Sequence, residues 1–301
     1  IYSGRGAKHQ RKQWRLFLSI LREHEQRKMD QQAATANRQG AGEAEAVLDG
    51  TEGLLEILLR IKDDAGLELP ITLEGVKCVL YDIFGAGSET STKTVEWAMA
   101  EMMKNPEVMK KAQSEVREVL QGKSKTSRVI TEEDISGLKY LKLVIKETLR
   151  MHAPAPLLLP RESRESFEMM GYHVPARATI LVNAWAIARD PQYWDDPLVF
   201  KPERFEGSSI SFNGSCFEYI PFGAGRRVCP GIWFGLANIE LPLAQLLYYF
   251  DWKLPAGVQP HNLDMSEAFG VTIGRKDSLL LHPTPARIII NPSGPPRPSA
   301  S

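Results

Sequence analysis

A surplus of charge of either sign is missing from this sequence: 37 Lys and Arg stand against 37 Asp and Glu in 301 residues. A nucleic-acid binder needs a basic excess to displace phosphate counterions, so the balance argues against that class. Cysteine is scarce too. Cys78, Cys216 and Cys229 are too few and too scattered for a disulfide framework, and no C-x-x-C pair offers a structural zinc site. The six histidines (His9, His24, His152, His173, His261, His282) show no metal spacing such as H-E-x-x-H, and read as structural or solvated groups. No run approaches the ~20 apolar residues that span a bilayer. The opening Ile1-Tyr-Ser-Gly-Arg-Gly6 carries neither an initiator Met nor a signal segment, so the chain reads as a fragment of a longer protein. What is present, 43% hydrophobic and 25% charged residues, suits a core-forming globular protein and excludes disorder.

The first half is patterned as helix. Trp14, Leu16, Phe17, Leu18, Ile20 and Leu21 lie within the charged run 8–32, which predicts a helix docked by one face. A polar Ala/Gly/Gln connection follows at 33–50, then a short helix from Leu54 to Ile61. A long helix is expected from the cap Thr72 to Lys104, and another from Pro106 to Gly122. Thr131-Glu-Glu-Asp134 opens a helical pair whose second member covers about 137–151. Beyond Ala153, Pro and Gly punctuate short strand-like runs such as Thr179–Val182. A single apolar helix is expected from Ile232 to Phe250, then strand pieces at Ser278–Leu281 and Arg287–Ile290 and a flexible tail over 292–301. The fold class is mainly α with small β-sheets. Met99, Met102, Met103 and Met109 read as core filler.

Four segments could carry chemistry. Pro221-Phe-Gly-Ala-Gly-Arg-Arg-Val-Cys-Pro-Gly231 precedes the apolar helix. Its glycines let the backbone turn tightly and approach a flat object. Cys229 lies near a helix N-terminus, where the dipole and free N–H groups favour a thiolate that could act as nucleophile or metal ligand. No His-bearing motif accompanies it, which argues against a protease-type nucleophile. Glu147-Thr-Leu-Arg150 puts an acid and a base on one helix face. Gly85 and Gly87, each costing about 1 kcal/mol in a helix interior, imply a close approach or a kink. Arg161 follows the proline-rich 153–160.

Phe222-x-x-Gly225-x-Arg227-x-Cys229-x-Gly231 resembles the heme-binding signature of the cytochrome P450 family, and its wording is most similar to plant microsomal A-type members. The resemblance covers nearly the whole chain and implies a P450 fold, N-terminally truncated, as a single partial domain over 1–301. It makes Cys229 the axial ligand of the iron of heme b, with Phe222, Gly225, Arg227 and Gly231 around it and Arg161 beside a propionate. Phe200-Lys-Pro-Glu-Arg204-Phe205 resembles the family's Pro-Glu-Arg-Phe segment, which joins Arg204 to Glu147 and Arg150 in a buried structural triad. Ala86-Gly87-Ser88-Glu89-Thr90-Ser91 resembles the oxygen-side segment. There Ala86 and Gly87 make room for dioxygen, Thr90 holds the activated oxygen by hydrogen bond and Glu89 relays protons. Family analogy lines the substrate pocket with Asp82, Gly85 and Ala86, with Ala153–Leu158 (Ala155 and Leu157 among them), and with Phe269–Val271.

The expected activity is insertion of one oxygen atom from O2 into a lipophilic plant metabolite, a terpenoid by preference. Thiolate ligation favours the O–O cleavage this needs. Electrons would come from NADPH through NADPH–cytochrome P450 reductase, docked near Arg226 and neighbouring lysines. The parent would sit on the cytosolic face of the endoplasmic reticulum membrane, its anchor lying upstream of Ile1. Two alternatives stay open: a truncated non-catalytic fragment unable to hold heme, and a heme-thiolate isomerase or dehydratase. The presence of Thr90 counts against the second.

Overall fold

A computed structural model describes residues 53–64, 66, 70–121 and 130–286, with Glu23 and Gln26. The readings for 8–32 and 33–50, the strand at 287–290 and the tail at 292–301 lie outside the described residues, Glu23 and Gln26 (both helical) excepted. The chain divides into two compact units, Ile1–Gly85 and Ala86–Ser301.

In the first unit, α1 (Leu54–Asp63) buries Leu58 and Leu59 with Val76 from the start of α2 (Leu73–Lys104). The Thr72 hydroxyl accepts from Gly75 N at 3.1 Å, the capping role its position predicts. α2 runs into the second unit without interruption.

The second unit packs the C-terminal half of α2 with α3 (Pro106–Gln121), α4 (Glu132–Ile135), α5 (Tyr140–Met151), α6 (Ala184–Ile187) and α7 (Ile232–Tyr249). The apolar stripes predicted by spacing meet in one core: Met102 from α2, Val116 from α3, Val144 and Ile145 from α5, Leu243 and Leu247 from α7. Met99, Met103 and Met109 are buried beside them, as filler. The strands form four antiparallel pairs: β1 (Arg161–Glu162) with β4 (Thr179–Ile180), β2 (Phe167–Met169) with β3 (Tyr172–Val174), β5 (Phe250–Lys253) with β8 (His282–Pro285), and β6 (Glu267–Ala268) with β7 (Gly274–Arg275).

Among the boundaries that differ from the sequence reading, two have a visible tertiary cause. The apolar helix stops at Tyr249 because Phe250 turns extended, with φ −133° and ψ 145°. Its carbonyl accepts from Gln113 Nε2 and Arg117 Nη2, both at 3.0 Å, so tertiary donors on α3 take it out of the helix. The last described strand is His282–Pro285 rather than Ser278–Leu281, where Leu279 N donates instead to the Glu96 carboxylate at 2.9 Å.

The start of α5 is held from a distance. The backbone N–H groups of Lys139, Tyr140 and Leu141 donate to the Glu115 carboxylate of α3 at 2.8, 2.7 and 2.9 Å. These are three of the four amides that no helix can satisfy internally, and an anion there also meets the positive end of the dipole. Glu115→Ala is therefore expected to lower stability by about 2 kcal/mol. Glu115→Gln should lose less, as read by urea unfolding; equal midpoints for all three proteins would remove the cap from the account.

Candidate functional site

Position 147 anchors the irregular segment 195–205 that precedes the cysteine loop in the chain. Glu147 and Arg150 face one way on α5 because they are three residues apart, and both side chains are fully buried. Arg150 Nε and Nη2 donate to the two Glu147 oxygens at 2.8 Å each, a bidentate pair. Arg204, on the 3₁₀ turn Pro202–Phe205, adds its Nε to Glu147 Oε1 at 3.0 Å, and Lys201 N donates to the same oxygen at 2.9 Å. The remaining guanidinium protons go to carbonyls of the irregular segment: Arg150 to Ala188 and Pro197, Arg204 to Asp196 and Val199. The buried carboxylate and its two cations are thus bonded on both carboxylate oxygens and across both guanidinium groups, the condition for burying charge at all. Tyr219, fully buried, donates its hydroxyl to Lys146 O at 2.8 Å and packs on Trp194 and Phe205. Burial pushes that phenol well above its ordinary pKa, with the nearby Glu147 charge acting in the same direction. It therefore stays a neutral donor.

From Tyr219 the chain enters the glycine loop. Gly223 and Gly225 have φ of +75° and +68°, values that an L side chain rarely adopts, so these two positions require glycine. The reversal lets Cys229 N donate to Phe222 O at 2.9 Å and leaves the Cys229 thiol free and half-buried, three residues before α7. A Cβ on Gly223 would lie 3.8 Å from Leu158 Cδ1, so the loop lies against the end of the proline-rich segment. The side chains of Arg161, half-buried on β1, and of the exposed Arg227 make no hydrogen bond or ion pair with another described residue. A sulfur donor two residues beyond an arginine whose side chain has no partner among the described residues suits a ligand with a metal centre and an anionic edge. Among the described residues no three His, Cys, Asp or Glu side chains cluster to hold a bare metal ion.

Of the two mid-helix glycines, Gly87 has the close approach: a Cβ there would come within 2.9 Å of the Phe234 ring on α7. Gly85 has open space around it, and α2 stays helical through both. Thr90 Oγ1 donates to Ala86 O at 2.7 Å. Glu89 points elsewhere: its carboxylate accepts from Thr272 Oγ1 at 2.6 Å and pairs with Lys93 Nζ at 3.0 Å. These bonds hold its carboxyl below the ordinary glutamate range, the Thr272 bond first and Lys93 next.

Of the residues expected to line a substrate pocket, Ala155 is half-buried while Leu157, Phe269 and Val271 are exposed; Asp82 and Gly85 lie on the first-unit part of α2. A groove of about 350 Å³ lies elsewhere, against Met102, Met103, Met109, Trp252 and Leu254, and none of the expected residues borders it.

Sequence reasoning missed three polar partners. His152 is buried, as a packing residue should be, and stacks on Trp97 at 3.9 Å, but its Nε2 also meets Glu101 Oε1 at 2.7 Å. Lys93 and Thr272 are the others. Glu101 and His152 are 51 residues apart and Glu89 and Thr272 are 183 apart, so no local spacing could have signalled either contact.

The comparisons agree with this architecture. The family model for cytochrome P450 matches residues 5–281, and the chain belongs to that family. Premnaspirodiene oxygenase of Hyoscyamus muticus is 56% identical over 236 residues, which are 78% of this chain and 46% of that protein. Desmethyl-deoxy-podophyllotoxin synthase of Sinopodophyllum hexandrum is 58% identical over 233 residues, 77% of this chain and 45% of that protein. A zebra fish cytochrome P450 solved with abiraterone aligns with a TM-score of 0.65 at 29% identity, covering 77% of this chain and 53% of that one. The chain spans about half the length of the curated relatives it matches. The family's cofactor is heme.

Proposed function

We propose that this chain supplies the heme-thiolate half of a monooxygenase that places one oxygen atom from O2 on a lipophilic molecule of plant specialised metabolism, with a terpenoid as the favoured class. The observation that carries the reading is the free Cys229 thiol on a glycine-built turn, directly before an apolar helix and two residues after Arg227. Relatives that oxygenate plant terpenoids support the substrate class. The exposed Leu157, Phe269 and Val271 offer it apolar contacts and no charge.

Cys229 would ligate the iron of heme b, and Arg161 and Arg227 would pair with its carboxylates. Phe222, Gly225 and Gly231 shape the loop, and Ala86 and Gly87 put no side chain larger than a methyl on their stretch of α2. When bound, heme supplies the dioxygen chemistry. The protein's own contribution is placement and protons. The Thr90 hydroxyl sits on α2 as a donor, and Glu89, one residue before it, is the carboxylate that exchanges protons with solvent. Ala155 belongs to the proposed pocket. NADPH–cytochrome P450 reductase, docking near Arg226, and the cytosolic face of the endoplasmic reticulum membrane are the partner and location proposed for the complete protein. Among the described residues no helix is long and apolar enough to cross a membrane.

A carbon-monoxide difference spectrum of the reduced protein, expressed with excess heme, tests the proposal. A Soret band at the thiolate-ligated position is the expected result. No such band from this chain or from an upstream-extended version would end it.

A further inference from the structure

Glu89, Lys93 and Thr272 form a closed knot that the proposed chemistry does not by itself require. Thr272 Oγ1 donates to Glu89 Oε1 at 2.6 Å. Lys93 Nζ pairs with the same oxygen at 3.0 Å and donates to both Thr272 O at 3.1 Å and Thr272 Oγ1 at 3.2 Å. The lysine stem is seated as well as its head. A Cβ on Gly274 would lie 3.1 Å from Lys93 Cδ and Cε and 3.3 Å from Nζ, so the bare glycine of β7 is what admits the side chain. Lys93 is one turn beyond Glu89 on α2, whereas Thr272 sits in the β6–β7 connection beside the exposed Phe269 and Val271. That connection is fastened to a second wall segment, because Ile273 N donates to Pro154 O at 2.8 Å. Thr90, meanwhile, gives its hydroxyl to Ala86 O and has no bond to Glu89.

We infer that Lys93 and Thr272 are positioning residues that park the Glu89 carboxylate on the 269–273 loop, away from Thr90, so that its release depends on movement of that loop. The inference rests on the reading of Glu89 as the proton-exchanging acid. A lipophilic molecule that settles against Phe269 and Val271 moves the backbone carrying Thr272 and thereby frees the carboxylate. Protons are then delivered when the pocket wall is engaged and withheld when it is not. The linkage is reciprocal: whatever neutralises Glu89 also loosens the loop. The charged or titratable groups that meet the Glu89 carboxylate are Lys93 on its own helix and none on the facing loop, where Thr272 is a neutral donor. Its pKa is depressed in the folded chain. The tether is therefore at full strength above the ordinary glutamate range and is lost as pH falls through the depressed value.

The test uses the 301-residue chain and needs no heme. Amide exchange at 271–274 is measured for the parent, Thr272→Val, Thr272→Ser, Lys93→Met and Glu89→Gln, with amides of 97–103 as the internal check that α2 stays folded. The Glu89 carboxyl is titrated by carbon NMR in the first four. Thr272→Val, Lys93→Met and Glu89→Gln are expected to speed loop exchange roughly three- to tenfold, the scale of a partly exposed charge-assisted contact. Thr272→Val and Lys93→Met should also move the Glu89 titration upward, while Thr272→Ser restores both properties. Loop exchange and titration unchanged in Thr272→Val and Lys93→Met would overturn the parking role whatever the heme spectrum shows. A responding loop in a protein that never gives the thiolate band would keep the tether and remove its link to oxygen chemistry.

Discussion

Arg150→Met is expected to lower folding stability by about 3–5 kcal/mol, the cost of leaving a buried partner charge uncompensated. The substitution strips the Glu147 carboxylate of its bidentate partner and takes the Arg150 Nη1 donor away from the carbonyls of Ala188 and Pro197. Arg204 Nε and Lys201 N remain on Glu147, but they serve one oxygen only. Adding Glu147→Gln to Arg150→Met should cost much less than the sum of the two single losses, because the second change removes the stranded charge. Urea unfolding of the two singles and the double reads this directly. A single-variant loss under about 1 kcal/mol would place the pair with solvated surface bridges and contradict its burial.

Cys229→Ser is expected to abolish the thiolate-type spectrum completely while leaving the fold intact. The loop conformation is set by Gly223, Gly225 and the Cys229 N to Phe222 O bond, none of which involves the sulfur. A hydroxyl oxygen is smaller and harder than a thiolate sulfur, so the variant should bind heme weakly and without the strong electron donation of sulfur. Circular dichroism should match the parent and the reduced carbon-monoxide band should be gone. A retained band would refute Cys229 as the ligand. Variants of Cys78 or Cys216, the other two free cysteines, should keep it.

How much of this was legible in the sequence depends on the range of the interaction that decides it. Helix spans were readable because their causes are local: Thr72 caps α2, Pro106 opens α3, and the apolar stripes keep helical period. Glu147 and Arg150 could be paired from their spacing alone, whereas Arg204 required the family resemblance, since 57 residues separate it from Glu147. The end of α7 was misplaced by one residue because side chains on α3, more than 130 positions away, take the Phe250 carbonyl. The strand near 280 slipped for a similar reason, through Glu96. In the candidate site the cysteine loop was visible because glycine at positive φ leaves a mark in the composition. The orientation of Glu89 was not visible, because a carboxylate carries no sign of which loop it will meet.

The carboxylate at position 147 also bears on the order in which the chain can assemble. α5 is a local structure and can form early, but its central acid waits for groups 54 and 57 residues further along. Until the segment 195–205 arrives, packing α5 into the core means dehydrating a charge with only Arg150 to balance it. Closure of that segment and entry of the helix are therefore expected to be coupled. The same side chain that steadies the finished segment is the one whose dehydration must wait for it.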